Sequence, residues 1–142
     1  MDLTFWVLLV DGLMAGVILS VQLLVYPAFL YFSDAELVRW HHRYTPNVTL
    51  LVAPLMIIQL LGGLVRAYVQ PGTYPVIYAL LVLLLWVLTF VLFVPLHRRI
   101  DAGKATEDNL RKLVRLNWSR TFLWILLFTS HLWWFLESGP DH

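Results

Sequence analysis

Four long apolar stretches, separated by short charged segments, constrain this sequence more than any other feature. They cover residues 3–32, 47–69, 75–96 and 117–136, and each comes close to the roughly 20 residues that a helix needs to cross a bilayer. Hydrophobic residues make up 60% of the 142-residue chain and charged residues only 13%, whereas a soluble domain needs a larger polar surface. Since hydrocarbon offers no partners to an open backbone, each stretch is predicted to be a helix.

The sequence therefore predicts one all-α domain over residues 1–142, an integral membrane four-helix bundle. Ser33 and Glu36 form a capping-box pattern, which predicts a short helix over about 34–44 on the cytoplasmic side. Thr45-Pro46 then predicts a new helix start at the second span. A further helix is expected to begin at Glu107 and to continue unbroken into the fourth span.

Lysine and arginine are distributed unequally between the two ends of the spans. Nine of the ten follow the first or the third span, and only Arg66 lies at the opposite end. Positively charged loops stay in the cytoplasm, so loops 33–46 and 97–116 are expected there and both termini on the outer face. The net charge of +1 at pH 7 offers no field for a polyanion. We expect no nucleic-acid partner, and membrane lipid and a lipophilic small molecule instead.

Three polar residues are expected to meet inside the membrane, where ionisable side chains are costly. At a rise of about 1.5 Å per residue, Asp11, Gln59 and His131 lie at similar depths. Arg66 and Tyr78 are expected toward the outer end. A carboxylate and an imidazole in a low dielectric can exchange protons, so Asp11 and His131 are the candidate catalytic acid and base, with Gln59 orienting them. Alternatively, these residues only pair across helices and stabilise the bundle.

A second polar group is predicted at the cytoplasmic end of the bundle. Gln22 follows Asp11 by eleven residues, about three helical turns, and so lies on the same face. Asn117, Trp124 and His131 follow one another at intervals of seven, which predicts an inward stripe on the last helix. Arginines here suit a lipid headgroup or an anionic substrate, and Trp124 offers a stacking surface. The candidate substrate-binding residues are Gln22, His42, Arg43, Arg66, Asn117, Arg120 and Trp124.

His41, His42 and His97 raise the alternative of a metal or haem site at the membrane surface. Adjacent helical residues point about 100° apart, so at most one of His41 and His42 is expected to join such a site. Solvated side chains beside basic neighbours are the simpler interpretation. We therefore predict no metal site, with His41 and His97 as the nearest candidates for ligands. The sequence requires no cofactor, and haem is not favoured, so the cofactor is left unknown.

Small residues and prolines indicate how the predicted helices pack and where they bend. Gly12 and Gly16 form a GxxxG motif, which favours close packing within the bundle and also allows a homo-oligomer. Pro27, Pro54 and Pro95 lie within spans or near their ends, where kinks widen a cavity.

Four strings resemble a family of small, largely uncharacterised bacterial four-span proteins, which implies a bacterial inner (plasma) membrane. They are Gln22-Leu23-Leu24-Val25-Tyr26-Pro27, His41-His42-Arg43-Tyr44, Val52-Ala53-Pro54-Leu55-Met56 and Asn117-Trp118-Ser119-Arg120-Thr121. The layout is also similar to the anthrone-oxygenase-like membrane family, and this resemblance implies oxidation of a lipophilic aromatic ring with little need of a cofactor. The chain also has a fainter likeness to the four-span protoporphyrinogen oxidase family, which uses haem. Trp6 and Pro27 stand where that family has histidines in its first helix, so its haem ligation is not implied here.

The sequence thus predicts a small membrane protein with an intrabundle pocket for a lipophilic ligand, and oxidoreductase or isomerase chemistry as the candidate activity. The first alternative is a non-catalytic transporter or assembly subunit that acts as an oligomer. The second is haem or metal binding through the histidines at the cytoplasmic edge. Whether the two polar groups share one cavity is left open.

Overall fold

Four long helices joined by short connections make up the structure, a computed structural model that describes residues 3–138. In chain order they are α1 (Leu3–Tyr31), α2 (Asp34–Val69), α3 (Thr73–Asp101) and α4 (Glu107–Ser138). No strand occurs within the described range, so the all-α prediction is confirmed there. Residues 1–2 and 139–142 of the predicted domain lie outside the described residues.

Three of the four helices, α1, α2 and α3, are long and apolar enough to cross a membrane. Helix α4 does not meet the same criterion, so the structure supports the predicted spans for three helices only. The physical reason lies in its composition. Its first half carries many charges, and Thr129, Ser130 and His131 interrupt the apolar run of its second half.

One continuous helix, α2, replaces the two elements that the sequence predicts at 34–44 and 47–69. The capping box is present, since Ser33 Oγ donates to Glu36 Oε2 at 2.6 Å and the Ser33 N–H donates to the same oxygen at 3.2 Å. The predicted new start at Pro46 is wrong, because Pro46 lies inside the 36-residue helix. A proline leaves the carbonyl four residues earlier, that of His42, without its helical partner. Both residues are exposed, so solvent can take that place.

Two π-helical turns interrupt α1 and α3, each just before a proline. They cover Val21–Val25 and Thr89–Phe93, and Pro27 and Pro95 follow two residues later. A proline has no N–H for the helical ladder, and a π turn is one way in which a helix absorbs such a defect. Residues of both turns line the same cavity, while the widening of that space by the prolines stays a prediction.

Helix α2 packs closely against both of its neighbours at two adjacent glycines. A Cβ on Gly62 would overlap with Cγ2 of Val7 in α1. A Cβ on Gly63 would lie 2.9 Å from Cε1 of Tyr78 in α3, also too close for an undisturbed contact. Glycine at these two positions therefore lets α2 pack closely against α1 and α3.

The GxxxG motif of α1 has a smaller part in packing. A Cβ on Gly12 would lie 3.2 Å from Cε2 of Phe128, so Gly12 lets α4 pack against α1. Gly16 has no atom within 4 Å of its Cβ position and faces outward. Only the first glycine of the motif thus serves the bundle.

Candidate functional site

A hydrogen-bonded network surrounds Asp11 and joins all four helices. Gln59 Nε2 and Tyr78 Oη donate to Asp11 Oδ1 at 2.7 and 2.8 Å. Nδ1 of His131 lies 2.6 Å from Asp11 Oδ2, and its Nε2 lies 2.7 Å from a terminal nitrogen of Arg66. All five side chains are at most 3% exposed. This set is called the Asp11 network below, and it brings Asp11, Gln59 and His131 together as the sequence predicts.

The chemistry of Arg66 decides where the protons of the Asp11 network lie. A guanidinium can only donate, so Arg66 donates to Nε2 of His131, and the ring proton must then be on Nδ1. That proton is donated to Asp11, which accepts three hydrogen bonds in all. A neutral imidazole therefore connects a buried cation to a buried carboxylate. The charges balance, as a low-dielectric interior requires.

The Asp11 network lies apart from the main cavity of the described bundle. None of its residues lines the cavity described next. Two predicted substrate-binding residues also belong to this region: Arg66 is part of the network, and Trp124 Nε1 donates to Gln59 Oε1 at 3.3 Å. The arrangement fits the alternative that these groups stabilise the bundle, while their catalytic role stays a prediction.

A cavity of about 290 Å³ lies between the helices, toward the end of the bundle where α2 begins. Its walls toward the middle of the bundle are apolar and include Val21, Val52, Met56, Trp86, Phe90 and Phe93. Its other end is polar and includes Tyr26, Tyr44, His97, Arg98, Asp101 and Arg120. The cavity is therefore amphipathic along its length.

A chain of four side chains, the His97 network, lies at the polar end of the cavity. Tyr26 Oη is 3.0 Å from Nε2 of His97, and Nδ1 of His97 is 2.7 Å from Nε2 of His41. Nδ1 of His41 is in turn 2.6 Å from Oδ1 of Asp101. His41 is fully buried, Tyr26 is 3% exposed, and the Asp101 side chain is 34% exposed. The network thus leads from the buried interior to the surface.

One arrangement of protons satisfies every member of the His97 network. As a carboxylate, Asp101 accepts from His41 Nδ1–H, which leaves Nε2 of a neutral His41 as an acceptor. His97 Nδ1–H then donates to that nitrogen, and the Tyr26 hydroxyl donates to Nε2 of His97. Tyr26 donates at one end, each histidine accepts one hydrogen bond and donates the next, and Asp101 accepts at the other end. Such a chain can pass one proton from Tyr26 to Asp101 through single steps between neighbours.

Arg120 is the one predicted substrate-binding residue that lines the cavity. It is 6% exposed, and its guanidinium carbon lies 4.1 Å from the ring centre of Phe93 and 5.2 Å from that of Trp124. Aromatic faces attract a cation in this position. Arg120 therefore brings a positive charge to the wall of a largely apolar space.

Gln22 and Asn117 pair with each other instead of lining the cavity. Asn117 Nδ2 donates to Gln22 Oε1 at 2.9 Å, and Gln22 Nε2 donates to the carbonyl of Val114 at 3.3 Å. Both side chains are buried. These contacts connect α1 to α4. The substrate-binding role of Gln22 and Asn117 stays a prediction.

His42 and Arg43 lie on the exposed side of α2 and do not line the cavity. His42 Nδ1 is 3.8 Å from Asp101 Oδ1, but its side chain is 61% exposed. His41, by contrast, is buried. The expectation that at most one of the two histidines joins a metal or haem site stays a prediction.

His41 and His97 do meet, yet their ring nitrogens already take part in hydrogen bonds. Nε2 of His41 and Nδ1 of His97 face each other, and Asp101 and Tyr26 occupy the remaining two nitrogens. Within residues 3–138, no group of three histidine, cysteine, aspartate or glutamate side chains is placed to hold a metal ion.

Two members of the His97 network, Tyr26 and Asp101, are absent from the candidates that the sequence offers. Asp101 follows His97 by four residues, one helical turn, so helical spacing alone could have linked them. Tyr26 has no comparable signal, because its contact with His97 depends on how α1 and α3 pack after their π turns.

Comparisons with family models, with curated proteins and with solved structures find no match to this chain. The resemblances to four-span families stay predictions, and the functional argument depends on the geometry of the site.

Proposed function

We propose that this chain binds a lipophilic ligand in the cavity between its helices. The ligand's apolar part packs among Val52, Met56 and Phe90, and its polar end lies beside Tyr26 and His97. The cavity carries the proposal, because mostly apolar walls with a few convergent polar groups are typical of small-molecule sites. Its volume of about 290 Å³ suits a ligand with a single chain or a small ring system.

We also propose that α4 is a fourth membrane span. Its polar residues Asn117, Thr121 and His131 are buried in the bundle, whereas Phe122 and other large apolar side chains are exposed. That distribution suits a helix with lipid around it. With four spans and nine of ten basic residues at one end, loops 33–46 and 97–116 lie in the cytoplasm of a bacterial cell and both termini lie outside.

The candidate activity is a proton shift within the bound ligand, which is an isomerisation. The ligand gives a proton to Tyr26 Oη while Tyr26 passes its own proton to Nε2 of His97. The network returns a proton to another atom of the ligand, so no atom is gained or lost and no electrons are transferred. Asp101 stabilises the added positive charge on His97 through the chain of two hydrogen bonds that joins them by way of His41.

Filling the cavity tests the binding proposal. Ala53 lines the cavity, so Ala53→Phe places a ring where the ligand's apolar part would lie. The probe is a photoreactive dodecanoic acid added to the purified protein in phosphatidylcholine nanodiscs. The matched control is Gly16→Phe, which adds the same side chain on an open outer face.

Labelling of Ala53→Phe is expected to fall to the background seen under excess unlabelled dodecanoate, while Gly16→Phe labels like the wild type. Thermal unfolding establishes that both variants are folded. Labelling of Ala53→Phe that equals the wild type and competes in the same way would contradict the proposal.

A further inference from the structure

Arg120 lacks an opposite charge among the residues that the structure describes. No carboxylate of residues 3–138 lies within 4.0 Å of its guanidinium, whereas Arg111 of the same helix pairs with Glu107 at 2.6 Å. Its Nε has no hydrogen-bond partner within residues 3–138 and is buried. Only 6% of Arg120 is exposed. A buried, unpaired guanidinium thus stands at the wall of the cavity.

Burial of such a charge is unfavourable unless something compensates it. Even after relaxation, the penalty for one buried ion is several kcal/mol, and the two aromatic faces beside Arg120 recover only part of it. An anion in the cavity would supply the missing charge and accept the unused N–H. Planar guanidinium groups match carboxylate and phosphate oxygens especially well.

The other charged groups of the cavity agree with an anionic ligand end. Arg98 adds a second cation to the lining, and Asp101 is the single carboxylate among the lining residues. That carboxylate already accepts from His41 at 2.6 Å. Tyr26, Tyr44 and His97 are the remaining titratable residues at this end. Tyr26 and His97 already donate within the His97 network, so of the three the Tyr44 hydroxyl is the donor left for an anion.

Trp86 offers one more unused donor. Its Nε1 is buried without a partner among the described residues, and the side chain lines the same cavity. Mostly apolar walls that carry one unused donor, Trp86, and a polar end that holds a cation describe a receptor for an amphiphile.

We propose that the ligand is a lipophilic acid, a single apolar chain or ring system with a carboxylate or phosphate end that binds Arg120. This inference rests on the proposed function, because it names the class of ligand that the cavity takes. It assigns Arg120 to head-group recognition, whereas the apolar walls bind any lipophilic body.

A competition experiment separates the two claims. Wild-type protein in phosphatidylcholine nanodiscs is labelled with the photoreactive dodecanoic acid, and unlabelled dodecanoate, dodecyl phosphate or dodecanol is added as competitor. A parallel set of nanodiscs contains phosphatidylglycerol, whose anionic head tests whether a bilayer lipid supplies the same chemistry. The variants are Arg120→Gln, Arg120→Lys and, as control, Arg115→Gln, which removes an exposed charge from the same helix.

In the wild type, both acids are expected to compete about ten-fold better than dodecanol, a difference of about 1.4 kcal/mol. Arg120→Gln should lose that preference, Arg120→Lys should retain part of it, and Arg115→Gln should behave like the wild type. Because removal of a buried charge is often neutral or stabilising, Arg120→Gln is expected to fold, and its thermal unfolding checks this.

The outcomes are distinguishable. If dodecanol competes as well as dodecanoate and Arg120→Gln changes nothing, the acid inference is wrong while ligand binding stands. If no competitor reduces labelling, both proposals fail. Displacement of the probe by phosphatidylglycerol would confirm the anionic head and identify the bilayer as its source, whereas no displacement identifies a single-chain acid.

Discussion

Nδ1 of His131 lies 2.6 Å from Oδ2 of Asp11, and both side chains are fully buried. These residues are 120 positions apart in the sequence, so their contact fixes the first helix against the last. Because Arg66 donates to the far side of the same imidazole, His131 links a buried guanidinium to a buried carboxylate.

Loss of the charge on Asp11 should therefore destabilise the bundle. Asp11→Asn keeps the size of the side chain but puts a neutral amide in place of a buried carboxylate that accepts three hydrogen bonds. We expect a loss of about 3–5 kcal/mol, as for other broken buried pairs. Thermal unfolding in detergent, followed by circular dichroism, measures it. The control Asp108→Asn changes an exposed carboxyl and should stay within about 0.5 kcal/mol of the wild type. Equal stability of the two variants would contradict the buried network.

Gly62 should tolerate no added methyl group. Gly62→Ala places a Cβ against Cγ2 of Val7, and such overpacking costs about 1–3 kcal/mol. Gly16→Ala meets open space instead, so the better helix propensity of alanine should make it neutral or stabilising by up to about 1 kcal/mol. The same unfolding experiment compares them. A Gly62→Ala variant as stable as Gly16→Ala would show that α1 and α2 are farther apart than the structure has them.

The His97 network makes a prediction about tautomers. Nitrogen-15 NMR of imidazole-labelled protein should find the ring protons of His41 and His97 on Nδ1, with both Nε2 atoms unprotonated. Tyr26→Phe removes only the donor to Nε2 of His97, so the signals of His97 should move more than those of His41. Protonated Nε2 atoms in the wild type would contradict the proposed direction of the hydrogen bonds.

The proposed topology can be tested with single cysteines, because the chain has none of its own. In intact bacterial cells, a membrane-impermeant maleimide should label Gln70→Cys and Glu137→Cys from outside. Lys104→Cys should react only after permeabilisation. Glu137→Cys decides the fourth span, since it would be protected like Lys104→Cys if α4 did not cross the membrane.

Spacing along single helices was enough to predict part of the site. The depth of Asp11, Gln59 and His131 follows from counting residues along each helix, and the cost of polar groups in lipid predicts that they meet. The unequal burial of His41 and His42 follows from the angle between neighbouring helical residues.

Residue spacing along single helices does not predict the contacts between helices. The cavity depends on two π turns, and a proline predicts a defect there but not how the helix absorbs it. Pro46 is a second example: the sequence predicts a helix start there, but Pro46 lies inside α2. The sequence predicts that Asp11 and His131 are catalytic because buried charge is rare. In the structure these two side chains are hydrogen-bonded to each other. Tyr26 and Arg120 line the cavity instead.

Mapping the position of a bound ligand tests the central claim most directly. The photoreactive dodecanoic acid is cross-linked to the wild-type protein in nanodiscs, the protein is digested, and the adducts are located by mass spectrometry. We predict adducts at cavity residues such as Val52, Met56 and Phe90, all abolished by unlabelled dodecanoate. Adducts spread over the outward-facing side chains Leu64, Val65 and Leu80, unaffected by the competitor and absent from the cavity, would contradict the account.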